Sequence, residues 1–99
     1  MRIAVPHHTT REAAKKIVEK RLDDLHQQYG HYATDIDQTW HGDRLDFSLK
    51  ARGFTGKGTL EVTDTDVIID GKLPLIAKPF EPRIKSTVER EADQMFRKA

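Results

Sequence analysis

The spacing of apolar residues changes along the chain, and each change predicts an element. Between residues 9 and 30 apolar side chains recur every three or four positions, which places them on one stripe of a helix. Thr9 and Glu12 have the spacing of a capping box, and Gly30 is expected to end the helix in a left-handed conformation. The stripe consists of Ala13, Ala14, Ile17, Val18, Leu22, Leu25 and Tyr29.

From residue 34 to 73 apolar and polar residues alternate, which is typical of strands with one buried face. Turn residues interrupt the alternation at Gly42-Asp43, at "GFTG" around Phe54 and at Asp64-Thr65. Such short connections predict an antiparallel meander, because parallel neighbours need long crossovers. The predicted inward positions include Ile36, Gln38, Trp40, Leu45, Phe47, Leu49, Ala51, Leu60, Val62, Val67, Ile69 and Leu73.

Two further elements frame this meander. Residues 2 to 5, "RIAV", form a short strand candidate that Pro6 ends. Near the C-terminus, apolar residues at four-residue steps predict a second helix with all of them in the core: Phe80, Ile84, Val88, Ala92 and Phe96. The sequence therefore predicts one α+β domain over residues 1–99. We expect a two-layer sandwich in the order β-α-β-β-β-β-α, with a mainly antiparallel sheet and two helices packed on one face.

The stretch "LPLIAKPF" at residues 73–80 is almost entirely apolar. Leu75 and Ile76 lie between two prolines and belong to neither the strand alternation nor the helical stripe. Phe54 stands at a predicted hairpin tip, where burial is also less assured. We therefore predict Phe54, Leu75 and Ile76 as apolar contact residues.

Composition and charge narrow the function classes. The chain has 17 basic and 16 acidic residues, so no overall field favours nucleic acid, and we expect no nucleic-acid partner. A small basic edge is predicted at Lys50, Arg52 and Lys57 around the Phe54 hairpin. Cysteine is absent, and no apolar run approaches the length of a membrane span. We expect a cytoplasmic protein without a membrane span.

The residues that could carry chemistry form no recognisable constellation. The five histidines, at positions 7, 8, 26, 31 and 41, share no helical ligand spacing, which favours structural or surface roles over a metal site. The "RGFTGKG" loop lacks the ending and the following helix of a phosphate loop. We predict no catalytic residue, no metal and no cofactor. The His7 to Thr10 segment is expected to shape the entry into the first helix.

Three stretches resemble the polyhydroxyalkanoic acid system family, also labelled polyhydroxyalkanoate granule-region proteins. They are "IAVPHHTTREAAKKIVEK", "FTGKGTLEV" and "LPLIAKPFEPRIKSTVEREADQMF", and the resemblance covers essentially the whole chain. It implies a bacterial protein connected with storage-polyester metabolism. The family has no established activity, so it implies no catalytic residues. A polyhydroxyalkanoate granule or a granule-associated protein is the partner that it implies.

Two main hypotheses for the function follow. The first is a non-enzymatic accessory protein that binds the granule through exposed apolar residues. The second is a domain that holds a small hydrophobic ligand, such as an acyl chain, between the sheet and the C-terminal helix. Its cavity would be lined by Trp40, Phe47, Leu49, Leu60, Ile84 and Val88. An enzyme of acyl metabolism would be a third class, but it lacks identifiable residues. The oligomeric state is not predicted.

Overall fold

The computed structural model of the protein describes residues 1–32, 34–51, 54–73 and 75–97. Five strands and two α-helices follow the predicted order, which confirms the α+β sandwich. Two 3₁₀ helices, Gly30–Tyr32 and Leu75–Phe80, supplement them. The main elements are β1 Arg2–Pro6, α1 Arg11–Tyr29, β2 Thr34–His41, β3 Arg44–Ala51, β4 Phe54–Val62, β5 Asp66–Lys72 and α2 Glu81–Arg97.

The sheet has the spatial order β1-β5-β4-β3-β2, and every neighbouring pair is antiparallel. β1 therefore extends the predicted meander by pairing with its last strand. The register aligns apolar residues from all five strands in one row across the sheet. This row consists of Trp40, Leu45, Leu60, Ile69 and Ile3. Because strand side chains alternate between faces, this alignment gives the sheet one apolar face.

The core forms where the two helices cover this face. α1 contributes the buried residues Ala14 and Val18, and α2 contributes Ala92 and Phe96. α2 packs against β1 and α1, while α1 also contacts β4. The predicted four-residue stripe of α2 is thus buried towards its C-terminal end, whereas Ile84 and Val88 are half-buried. Burial of these apolar groups supplies the main stabilisation of the fold.

Both ends of α1 differ in detail from the sequence prediction. Thr10, not Thr9, caps the helix, since its hydroxyl accepts a hydrogen bond from the Ala13 amide at 3.1 Å. The Thr9 amide instead donates to the His7 ring, and the extended capping conformation falls on Thr10. Gly30 has a φ of −58°, so the predicted left-handed ending was wrong. The chain tightens there into a short 3₁₀ turn, which offers an alternative way to end a helix.

Candidate interaction surface

The connection between β5 and α2 presents apolar side chains to solvent. In the 3₁₀ helix Leu75–Phe80, which we call the apolar segment, Leu75 is 85% exposed, Ile76 66% and Phe80 60%. Single exposed apolar residues are ordinary, but a contiguous group of this kind is typical of interaction sites. The exposure predicted for Leu75 and Ile76 is found.

The placement of Phe80 in the core was wrong. Phe80 is the last residue of the 3₁₀ helix, and α2 begins only at Glu81. A 3₁₀ helix has three residues per turn instead of 3.6, so the side-chain direction of Phe80 cannot be extrapolated from the α-helical stripe. The stripe therefore starts at Ile84. Pro79 within the segment and Pro82 in the first turn of α2 were the available signals for this change of geometry.

The apolar segment stands between two parts of the chain that the N-terminus holds together. The Met1 amino group donates to the Gly71 carbonyl at 3.1 Å and lies 3.3 Å from the Glu81 carboxylate. The Gly71 amide donates in return to the Met1 carbonyl at 2.8 Å. These contacts tie the end of β5 to the start of α2. The apolar segment is therefore anchored on both sides, at Gly71 and at Glu81.

The other predicted surface residues lie on the β3–β4 hairpin. Lys50 and Lys57 are exposed on the sheet face opposite the helices, and Lys50 lies 3.8 Å from Asp35. Arg52 and the side chain of Phe54 lie outside the described residues, so both stay predictions. The register also pairs Lys57 with Lys72 of β5. Sequence reasoning missed Lys72, although strand alternation places it with Asp70 on the open face.

Of the six residues of the predicted ligand cavity, Leu60 belongs to the hydrophobic core, and Trp40, Phe47 and Val88 pack against it. Trp40 lines a depression of about 450 Å³ between α1 and β2, together with Leu22 and Gln38. Phe47 has the same strand parity as the buried Leu45, and it also borders a different depression of about 570 Å³ on the opposite, open face of the sheet. Leu60 is buried, Ile84 and Val88 are half-buried, and Leu49 is 37% exposed. Neither depression joins the six residues, and a shared cavity stays a prediction.

The Phe47 ring packs closely against the backbone of the neighbouring strand β4. Its register partner on β4 is Gly58. A Cβ atom at Gly58 would lie 2.7 Å from the Phe47 ring and 2.7 Å from the Asp70 carbonyl oxygen. Glycine lets the aromatic ring lie directly against the β4 backbone.

His7 is a structural histidine at the entry to α1. Its side chain is fully buried, Nε2 lies 2.8 Å from the Thr63 carbonyl, and Nδ1 accepts from the Thr9 amide at 3.2 Å. Because Nδ1 is the acceptor, the neutral ring carries its proton on Nε2 and donates to Thr63. The ring also packs 6.2 Å from that of Phe96. These contacts confirm that this segment shapes the helix entry.

Arg11 reinforces the same end of the molecule. It forms ion pairs with Asp43 at 3.2 Å and Asp64 at 2.9 Å, which link α1 to two strand connections. The hydrogen bonds that the Arg11 guanidinium donates to Asp43 and, next in size, to Asp64 raise its pKa. Across the described residues, no three histidine or acidic side chains converge as metal ligands would. The polar groups at this end therefore have a structural explanation.

The fold and the exposed segment define a small two-layer α+β protein with an apolar surface at one connection. The family described as "Putative polyhydroxyalkanoic acid system protein (PHA_gran_rgn)" matches residues 1–96, and the chain belongs to this family. No curated protein and no solved structure matches the chain. In the described part of the chain, no helix is both long and apolar enough to cross a membrane.

Proposed function

We propose that this protein is a non-enzymatic binding protein that associates with polyhydroxyalkanoate granules in the cytoplasm through the apolar segment. The observation that carries the proposal is the joint exposure of Leu75, Ile76 and Phe80 within six residues. Family membership supplies the polyester context. An apolar polyester surface removes such side chains from water, which is the favourable contribution to binding.

The expected strength follows from the area that these residues can bury. Full burial of one Leu, Ile or Phe side chain contributes roughly 1.5 to 3 kcal/mol. Weighted by their exposure of 85%, 66% and 60%, the three residues contribute roughly 3 to 6 kcal/mol before the cost of immobilisation. Adsorption through this segment alone is therefore weak and reversible.

Co-sedimentation with purified granules tests the proposal. The double variant Leu75→Ser/Ile76→Ser should reduce the bound fraction at least about tenfold, because it removes most of the exposed aliphatic surface. Leu49→Ser is the control, since Leu49 is a large apolar residue that is 37% exposed in another part of the molecule, near the C-terminal end of β3. The control should bind like the unmodified protein. Failure of the unmodified protein to sediment with granules at both low and high salt would reject the proposal.

A further inference from the structure

The residues around the apolar segment carry a net positive charge, of the same size as that of residues 11–21 and of residues 44–58. Between residues 71 and 88 there are four basic residues and one acid, which is a formal charge of +3. The chain as a whole has +1, so its remaining residues together have −2. We call the four basic residues Lys72, Lys78, Arg83 and Lys85 the basic rim. Positive charge thus flanks the exposed apolar side chains, between Asp70 on one side and Glu89 on the other.

The single acid in this stretch is already engaged. The Glu81 carboxylate lies 3.3 Å from the Met1 amino group and 4.0 Å from the Lys78 amino group. By contrast, Lys72, Arg83 and Lys85 are exposed and form no ion pair within the described part of the chain. Their charges are available to an external partner.

Two pairings are unfavourable in the protein by itself. Lys72 lies directly beside Lys57 across the β4–β5 register, where like charges repel, and Asp37, Asp46 and Asp70 line the same depression of the open sheet face. Arg83 lies in the first turn of α2, where the positive end of the helix dipole also disfavours cations. A nearby negative charge would relieve both effects.

The distances suit a combined apolar and electrostatic contact. Lys72 is three residues from Leu75, and Lys85 is five residues after Phe80 along a helix that rises about 1.5 Å per residue. The rim therefore lies within roughly 10 Å of the segment, comparable to the screening length in physiological salt. Apolar insertion and attraction by the rim can act on the same surface layer.

We propose that the apolar segment and the basic rim together dock onto a layer of anionic lipid. This proposal rests on the proposed function, because it uses the same surface and names what covers it. A second signal is needed in physical terms, since a small apolar group alone gives only marginal binding to an interface. The segment protrudes with 85% of Leu75 exposed, and it lines neither of the depressions described above. A protruding apolar group suits a fluid lipid layer that deforms around it, rather than a rigid protein that must offer a fitted pocket.

Vesicle sedimentation tests this docking with defined probes. Vesicles of phosphatidylcholine with about one third phosphatidylglycerol are compared with vesicles of pure phosphatidylcholine, at low salt and at high salt. Each adjacent Lys or Arg strengthens binding to an anionic surface roughly fivefold. We expect strong preference for the anionic vesicles, and most of that preference should disappear in high salt because counterions screen the rim.

Charge variants locate the effect on the molecule. Lys72→Gln/Arg83→Gln/Lys85→Gln should weaken anionic-vesicle binding roughly a hundredfold. The control Lys16→Gln/Lys20→Gln/Arg90→Gln removes the same charge from exposed positions on α1 and α2 and should change binding less than about threefold. Equal losses in the two triple variants, or equal binding of the unmodified protein to neutral and anionic vesicles, would overturn the proposal. The comparison of vesicles needs no variant and decides the question even if a variant unfolds.

Bare polyester particles separate this proposal from the proposed function. Binding to bare polyester but not to anionic vesicles would reject the lipid proposal and retain granule association. Binding to anionic vesicles but to neither bare polyester nor purified granules would reject granule association and retain the lipid proposal. Binding only to protein-coated granules stripped of lipid would also overturn the lipid proposal, in favour of an acidic protein partner.

Discussion

The connections that lead into the two helices are opposite in composition, and each contains a residue whose burial is the reverse of what its polarity predicts. The polar connection, His7–Thr10, holds a histidine that is fully buried. The apolar segment, Leu75–Phe80, holds a leucine that is 85% exposed. A rule that assigns apolar residues to the core and polar residues to the surface would predict the reverse.

Hydrogen-bond partners and helix geometry explain the difference. The buried His7 has a partner for each ring nitrogen, and a buried polar group with partners costs little. The apolar segment has no buried residue of its own, because its short 3₁₀ helix ends before α2 turns a stripe towards the sheet. Composition alone therefore does not decide burial in such connections. An apolar connection that stays exposed is the more informative one for function.

Replacing His7 should have the largest effect on stability. His7→Ala leaves the Thr9 amide and the Thr63 carbonyl without their partners and opens a cavity beside Phe96. We expect a loss of roughly 2 to 4 kcal/mol in the free energy of unfolding, measured by urea denaturation. His8→Asn is the neighbouring control, because His8 is exposed with a φ of 54°, a conformation that asparagine tolerates. A loss below about 1 kcal/mol for His7→Ala would contradict the structural role of this ring.

Removing the cap of α1 should have a smaller effect at the same connection. Thr10→Ala deletes the acceptor for the Ala13 amide and should lower the free energy of unfolding by roughly 1 kcal/mol. Thr9→Ala provides the control, since the Thr9 amide bonds to His7 and its side chain is not the cap. Urea denaturation of both variants checks the assignment. A larger loss in the free energy of unfolding for Thr9→Ala would indicate that Thr9, the residue predicted from the sequence, is the cap.

Polar replacements in the apolar segment should have the smallest effect on stability. The triple variant Leu75→Gln/Ile76→Gln/Phe80→Gln exchanges side chains that already face solvent. We expect the free energy of unfolding to change by no more than roughly 0.5 kcal/mol. A loss of several times that size in the isolated protein would mean that these side chains are packed in solution, and the contrast between the two connections would fail.

The regular elements could be predicted because their patterns reflect burial over many residues. The strand alternation around Leu45 and Leu60 correctly predicted the sheet. The helical stripe around Val18 correctly predicted α1. The alignment of Ile3 with Ile69 could not be predicted, because most of the chain separates β1 from its partner β5. Long-range pairing depends on the closed structure and has no local signal.

The candidate surface could be predicted only in part. Leu75 and Ile76 stood out because they fitted neither periodicity. Phe80 was misplaced, because the four-residue stripe was extended across a point where the chain changes from 3₁₀ to α geometry. The pairing of Lys72 with Lys57 is a product of sheet register, which the sequence pattern does not specify. The net positive charge near the segment was visible in the sequence, but equal charges occur elsewhere in the chain, so its relevance depended on knowing which apolar residues were exposed.

A local probe of polarity tests the central claim, that the apolar segment is the part of the molecule that meets the granule. The chain has no cysteine, so Ile76→Cys can carry one environment-sensitive fluorophore, and Lys16→Cys on the exposed face of α1 can carry the same label as a control. On mixing with purified granules, we expect a blue shift and increased emission at position 76 and little change at position 16. No change at position 76, or equal changes at both positions, would contradict the account.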